Sequence, residues 1–282
     1  MPDQDDVSHY IHGSSAEEQG RLAALNDLIN QAALRELDLR GSERILDVGS
    51  GLGQFTRAMA RSAGPSGKVV GVERDPQQLA DAIRRARADG EEALADLRAG
   101  DALALPLRPD EWGTFDVAHT RFLLEHVRDP LGVVGAMVKA VRPGGRIVLQ
   151  DDDHDVLRLW PEPAGFWSLW YAYIRTYDRL GNDPYVGRRL VSLLHEVGAM
   201  PVRNNWLFFG SCSGHATFGP LVTNIVNILV GAREAILSQA LFDPVIFEQT
   251  LNSLRDWGRR PDAAIWYAIS WAEGVRPGGR SG

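Results

Sequence analysis

The segment Ile45-Leu46-Asp47-Val48-Gly49-Ser50-Gly51-Leu52-Gly53-Gln54-Phe55-Thr56 is a short apolar run that enters a glycine-rich turn and then opens a helix. A short run that is apolar throughout except for Asp47 suits a strand covered on both faces. Glycines at 49, 51 and 53 tolerate positive φ and let a ligand approach backbone where a Cβ would clash. The stretch therefore predicts a buried strand, a tight turn with room for a ligand, and a helix start.

On either side of this segment, short apolar runs alternate with helical stretches. Runs at 69–72, 115–118 and 147–149, with a weaker one at 97–101, predict parallel strands joined by crossover helices. Two of those helices are announced by Asp75-Pro76 and Asp129-Pro130, a capping side chain followed by proline at the first helical position. Upstream, Ser15 and Glu18 have capping-box spacing, and Leu22, Leu25, Ile29, Ala33 and Leu37 recur at helical intervals. Downstream of 155 the composition shifts, since 7 of the 8 tryptophans lie there and only Trp112 lies before. Strands are expected at 202–209 and 265–271, a helix at 187–197, and two apolar helices within 215–261.

Bulk properties exclude several classes. A net charge of −7 with no basic stripe argues against nucleic acid as substrate and against anionic membrane surfaces. Cys212 is the single cysteine, which rules out an internal disulfide and any zinc site built on several thiolates. The acidic start, with no apolar run behind it, lacks the pattern of a secretory leader. The longest apolar stretch, 218–230, is interrupted by Thr223, Asn224 and Asn227 and falls short of the ~18 residues of a spanning helix. A cytoplasmic chain with no membrane partner is expected, and a homodimer is left open.

The spacing G-x-G-x-G after Asp47 resembles the first motif of class I S-adenosylmethionine-dependent methyltransferases. A dinucleotide site would place its third glycine at 54, where this chain has Gln54. Four more places match the family in order. Glu73 closes the second strand, Asp101-Ala102 closes the next, Phe115-Asp116-Val117-Ala118-His119-Thr120 precedes Leu124-Glu125-His126, and Arg142-Pro143-Gly144-Gly145 precedes the fifth strand. The resemblance implies a Rossmann-like, seven-stranded, mostly parallel sheet with helices on both faces, plus an N-terminal helix and helical cap insertions. It implies S-adenosyl-L-methionine as cofactor and a small-molecule acceptor, of the kind methylated by bacterial natural-product enzymes. It also implies cofactor contacts from Asp47, Gly49, Ser50, Gly51, Gly53, Phe55, Glu73, Arg74, Asp101, Ala102, His119 and Thr120. In this reading Glu73 takes the ribose hydroxyls and Asp101 the adenine amine. The segment around Tyr10 resembles the entry of such enzymes, where a tyrosine closes over the cofactor's methionine end.

The expected organisation is a lid segment and helix at 1–40, a cofactor-binding half at 41–155, and a remainder at 156–282. That remainder carries aromatic-rich insertions at about 156–185 and 215–261. Trp167, Trp170, Tyr173 and Asn224 are candidate acceptor contacts, against core or helix packing as the simpler role. His154, just past the fifth strand, is the first candidate general base, with His126 its rival. The cluster 151–154 also raises metal assistance, but His119-Thr120 stands where a hard cation prefers a carboxylate, and no metal is expected. A cofactor-sensing module or a non-methylating enzyme on the same fold remains the alternative.

Overall fold

The computed structural model describes residues 16–278, which pack as two compact units. Among the described residues, one unit comprises Ile29–Val156, Gly181–Phe209 and 268–278, and it holds the large sheet. The other comprises 16–28, Leu157–Leu180 and Gly210–Tyr267, and it is mostly helical. The segments anticipated as insertions thus make up most of a compact unit of their own. No helix among the described residues is long and apolar enough to cross a membrane.

The chain enters through α1 (Ala16–Leu37) and β1 (Arg44–Val48), then α2 (Gln54–Ala63), β2 (Lys68–Glu73), α3 (Pro76–Ala88) and β3 (Ala95–Ala99). It continues with β4 (Phe115–Arg121), α4 (Pro130–Ala140) and β5 (Val141–Asp151). A short β6 (Arg158–Trp160) leads to α5 (Phe166–Ile174), α6 (Leu190–Glu196), β7 (Met200–Phe208) and β8 (Ser211–Cys212). The chain closes through α7 (Phe218–Gly231), α8 (Arg233–Ser238), α9 (Pro244–Trp257), β9 (Ala264–Trp266) and β10 (Ala268–Val275).

The large sheet has the order β3-β2-β1-β4-β5-β10-β7, with β10 antiparallel to both its neighbours. From β1 the chain builds outward to β2 and β3 on one side, then returns to add β4 on the other. The strand order reverses between β1 and β4, and in open parallel sheets the ligand crevice lies beyond the carboxyl ends of strands at such a reversal. One core face packs Leu46, Phe115, Ile147 and Leu149 against Val133, Met137 and Leu194 of α4 and α6, all fully buried. Both Asp-Pro caps form: Asp75 Oδ1 accepts the N–H groups of Gln77 and Gln78, and Asp129 Oδ1 accepts that of Gly132.

Three expectations need correction. The run 265–271 is two strands, β9 and β10, with Tyr267 between them, and only β10 belongs to the large sheet. The fifth strand begins at Val141, ahead of the glycine pair. Three helices, α7, α8 and α9, fill 215–261 where two were expected. The second, three-stranded sheet, in the order β6-β9-β8, was not anticipated, because strands of 2 or 3 residues carry no readable alternation.

Candidate functional site

Between β1 and α2 the turn 49–53 puts Gly49, Gly51 and Gly53 at φ of +78°, +52° and +70°, the left-handed region that side chains rarely enter. A Cβ on Gly49 would also sit 3.1 Å from Leu123 Cδ2. The N–H groups of Gly49 and Ser50 both donate to the Val72 carbonyl at 2.9 Å. Gly51 donates to Glu73 Oε2 at 2.8 Å, and Asp75 donates to Glu73 Oε1 at 2.8 Å. Glu73 thus joins the glycine turn to the end of β2. Ser50 Oγ is buried and has no hydrogen-bond partner among the described residues.

Beneath the turn runs a line of polar groups. Thr56 Oγ1 donates to Asp47 Oδ2 at 2.6 Å, and Asp47 Oδ1 lies 2.8 Å from His119 Nδ1. His119 Nε2 in turn lies 2.8 Å from Gln150 Nε2. A carboxylate only accepts, so Nδ1 carries the hydrogen and Nε2 accepts from the Gln150 amide. Asp47 is 3% exposed and His119 1% exposed, and these hydrogen bonds tie both expected cofactor residues into the sheet. Thr120, also buried, donates to the Val48 carbonyl at 2.8 Å. Phe55 is buried with its ring 5.0 Å from that of His119 and 4.4 Å from the Arg121 guanidinium. Asp101 and Ala102 are half-buried after β3, where Asp101 Oδ1 accepts the Leu103 N–H at 2.7 Å. Arg74 is exposed, and Tyr10 lies outside the described residues.

At the ends of β4 and β5 a second constellation forms. Phe122 has φ of +53°, strained for a side chain of its size. Asp151, fully buried, steadies the turn by accepting the N–H groups of Leu123 at 3.1 Å and Leu124 at 2.8 Å. Burial, and then the charges of Glu125 and Asp152, push the Asp151 carboxyl well above the usual carboxylate range. His154 Nε2 lies 3.0 Å from Glu125 Oε2, and both residues are 4% exposed. Burial opposes a charge on His154, but the Glu125 hydrogen bond and the charges of Glu125, Asp152 and Asp153 outweigh it and raise its pKa. His126 is exposed, with Nε2 3.5 Å from Glu125 Oε1. Asp153 is held by a two-pronged contact from Arg188 at 2.6 and 2.7 Å.

Glu125 escaped the sequence reading as a functional residue. Its signal was present, a carboxylate beside His126 at the end of the fourth-strand motif, but its partner His154 lies 29 positions away. Glu125, Asp152 and His154 each offer a ligand atom within 4.8 Å of the others, a donor set of the kind a divalent cation takes.

In the helical unit, Trp170 is buried and stacked on Phe166 at 5.8 Å, and the Tyr173 and Tyr177 hydroxyls are 3.0 Å apart. Trp167 and Asn224 are half-buried. Of the four expected acceptor contacts, Trp170 is the one committed to the unit's own core.

A doubly wound sheet with a left-handed glycine turn at its reversal defines a nucleotide- or nucleoside-binding α/β protein. Residues 16–204 match the methyltransferase domain family, more than half of the chain, and the chain belongs to that family. The demethylmenaquinone methyltransferase of Lactococcus lactis is 33% identical over 125 residues, 44% of this chain and 48% of that protein. The chain spans about half the length of several curated relatives it matches. Geranyl diphosphate C-methyltransferase from Streptomyces coelicolor superposes with a TM-score of 0.54 at 15% identity, over 93% of this chain and 85% of that one. The [4+2]-cyclase SpnF superposes with a TM-score of 0.53 at 20% identity, over 90% and 82%. At these identities the superpositions speak for the fold alone.

Proposed function

We propose that this chain transfers a methyl group from S-adenosyl-L-methionine to an oxygen, nitrogen or carbon nucleophile of a small-molecule acceptor. The observation that carries the reading is the Gly49, Gly51 and Gly53 turn clamped to Glu73 where the strand order reverses. The residues fit such a cofactor. Backbone is open to close approach at the turn, the unsatisfied Ser50 Oγ is a hydrogen bond in waiting, and the Glu73 carboxylate keeps lone pairs for two ribose hydroxyls. Asp101 takes the adenine amine, while Asp47 and His119 hold the turn from beneath. When bound, the cofactor supplies an activated methyl group on sulfur.

Most of the protein's work is orientation, which alone can be worth effective molarities of ~10⁵ M or more. Where the acceptor must lose a proton, His154 takes it. Its Nε2 lies 3.0 Å from Glu125 Oε2, which holds the ring in place for that task. A non-methylating activity is the second reading, favoured by the presence of a cyclase on the same fold. Incubation with S-adenosylmethionine and a panel of phenols, amines and carboxylates, read by mass analysis, separates the two. Acceptor-dependent S-adenosylhomocysteine supports methyl transfer; an acceptor converted without it supports the second reading.

A further inference from the structure

The outer face of the three-stranded sheet is unusually aromatic. Strand alternation sends Leu159 and Ile265 inward, where both are buried, and Arg158, Trp160 and Trp266 outward. The β6–β9 register sets Arg158 opposite Trp266. Helix α5 adds Trp167 and Tyr171, four positions apart with ring centres 6.3 Å apart. Trp160, Trp266 and Tyr171 are 66%, 48% and 47% exposed. Together with Glu162 these residues line an open groove of about 640 Å³ within the helical unit.

We propose that this groove binds a flat, fused-ring aromatic molecule bearing an acidic oxygen. Clustered exposed apolar surface marks a binding site, because folding gains nothing from leaving it wet. The volume falls in the ~300–1,000 Å³ range of small-molecule sites, and concavity suits such a ligand better than the flat patch of a protein partner. Indole and phenol faces accept another planar ring by offset stacking. The Arg158 guanidinium carbon lies 5.6 Å from the Trp167 ring centre, so ring recognition and positive charge are presented side by side. A guanidinium matches a carboxylate or phenolate oxygen, while the exposed Glu162 carboxylate accepts from a neutral hydroxyl and repels a second anion. The groove lies wholly within the helical unit, so this inference goes beyond the proposed methyl transfer and does not rest on it.

The test is equilibrium binding of anthraquinone-2-carboxylate to the full chain, by tryptophan quenching and calorimetry, with S-adenosylhomocysteine binding measured in parallel. Saturable binding is expected, weakened about tenfold by Trp266→Ala or Trp160→Ala, with the circular dichroism spectrum unchanged. Arg158→Gln weakens the carboxylate by about tenfold and leaves an uncharged anthraquinone unaffected. Decanoate, an anion without rings, binds at least about tenfold more weakly than the probe. Wild-type affinity in the tryptophan variants, or equal binding of decanoate, overturns the proposal. So does a dimer that Trp160→Ala converts to monomer without any probe binding, since the face then belongs to a second copy. Probe binding without S-adenosylhomocysteine binding keeps the groove and removes the methyltransferase reading; the reverse removes the groove alone.

Discussion

Gly51 donates its backbone N–H to Glu73 at 2.8 Å, so the carboxylate assigned to the ribose is also the brace of the glycine turn. A side chain with both duties couples cofactor affinity to local order.

Replacing Glu73 with Ala therefore has two effects. Each lost charge-assisted hydrogen bond to a ribose hydroxyl contributes ~1.5–3 kcal/mol at best, so S-adenosylhomocysteine should bind at least about tenfold more weakly. Loss of the Gly51 and Asp75 contacts should also lower the melting temperature modestly. Calorimetry showing unchanged affinity would remove Glu73 from the cofactor site, whatever happens to stability.

His119 makes the second case for separating support from contact. Its ring bridges Asp47 and Gln150 at 2.8 Å on each side, inside the sheet. His119→Leu leaves a buried carboxylate without that partner, and removing one partner of a buried polar pair costs about 3–5 kcal/mol. The expected outcome is a large drop in stability by denaturant titration and a double-mutant coupling of roughly 0.5–3 kcal/mol between positions 47 and 119. Stability within ~0.5 kcal/mol of wild type would show that the relay does not brace the sheet.

Sequence legibility followed the range of the interactions. The strands flanking the turn and the Asp75 and Asp129 caps were readable because each is specified within a few residues. What the acids and histidines touch was not readable. Asp47 was expected at the cofactor from its local spacing to the glycines, whereas its hydrogen bond to His119 joins positions 72 apart and left no local trace. Glu125 and His154 form one pair from two strand ends, and no local spacing shows that. Aromatic richness near Trp170 was visible, but not that Trp170 turns inward while Trp160 and Trp266 stay exposed.

Glu111 carries a stability prediction that no motif suggested. Its carboxylate is 1% exposed, accepts two contacts from Arg98 at 2.7 and 2.9 Å, and faces Arg44 and Arg108. The Arg98 hydrogen bonds, opposed by burial and helped by the Arg108 backbone, lower its pKa from 4.5 to about 2. A depressed folded-state value means the stabilisation is complete above the unfolded value and is lost as pH falls through the folded one. Wild-type stability should thus decline between pH 4.5 and about 2 more steeply than that of Glu111→Gln. At neutral pH the variant should be about 3 kcal/mol less stable, because Arg44, Arg98 and Arg108 lose the buried anion they share, although Asp96 still pairs with Arg98. Parallel acid titrations of the two proteins would sink this account.

The last prediction concerns the proton that His154 is proposed to take. Glu125 holds the imidazole at 3.0 Å and, with Asp152 and Asp153, raises its pKa above 6.5 against the cost of burial. The charged pair therefore stabilises the fold fully below pH 6.5, and that contribution fades as pH rises through the raised value. Catalysis runs the other way, since only the neutral ring accepts a proton. For an acceptor whose nucleophile carries a proton, kcat should climb along a limb lying above pH 6.5. Glu125→Gln removes the hydrogen-bonded anion but keeps the burial, so the limb should move to lower pH, a shift that a purely structural role for Glu125 does not produce. His154→Ala should lower kcat by roughly 10² or more with S-adenosylhomocysteine affinity intact. His126 is exposed and its Glu125 contact is longer, so His126→Ala should stay within a few-fold of wild type. A His154→Ala rate within a few-fold of wild type between about pH 6 and pH 9 would leave orientation alone to explain the reaction.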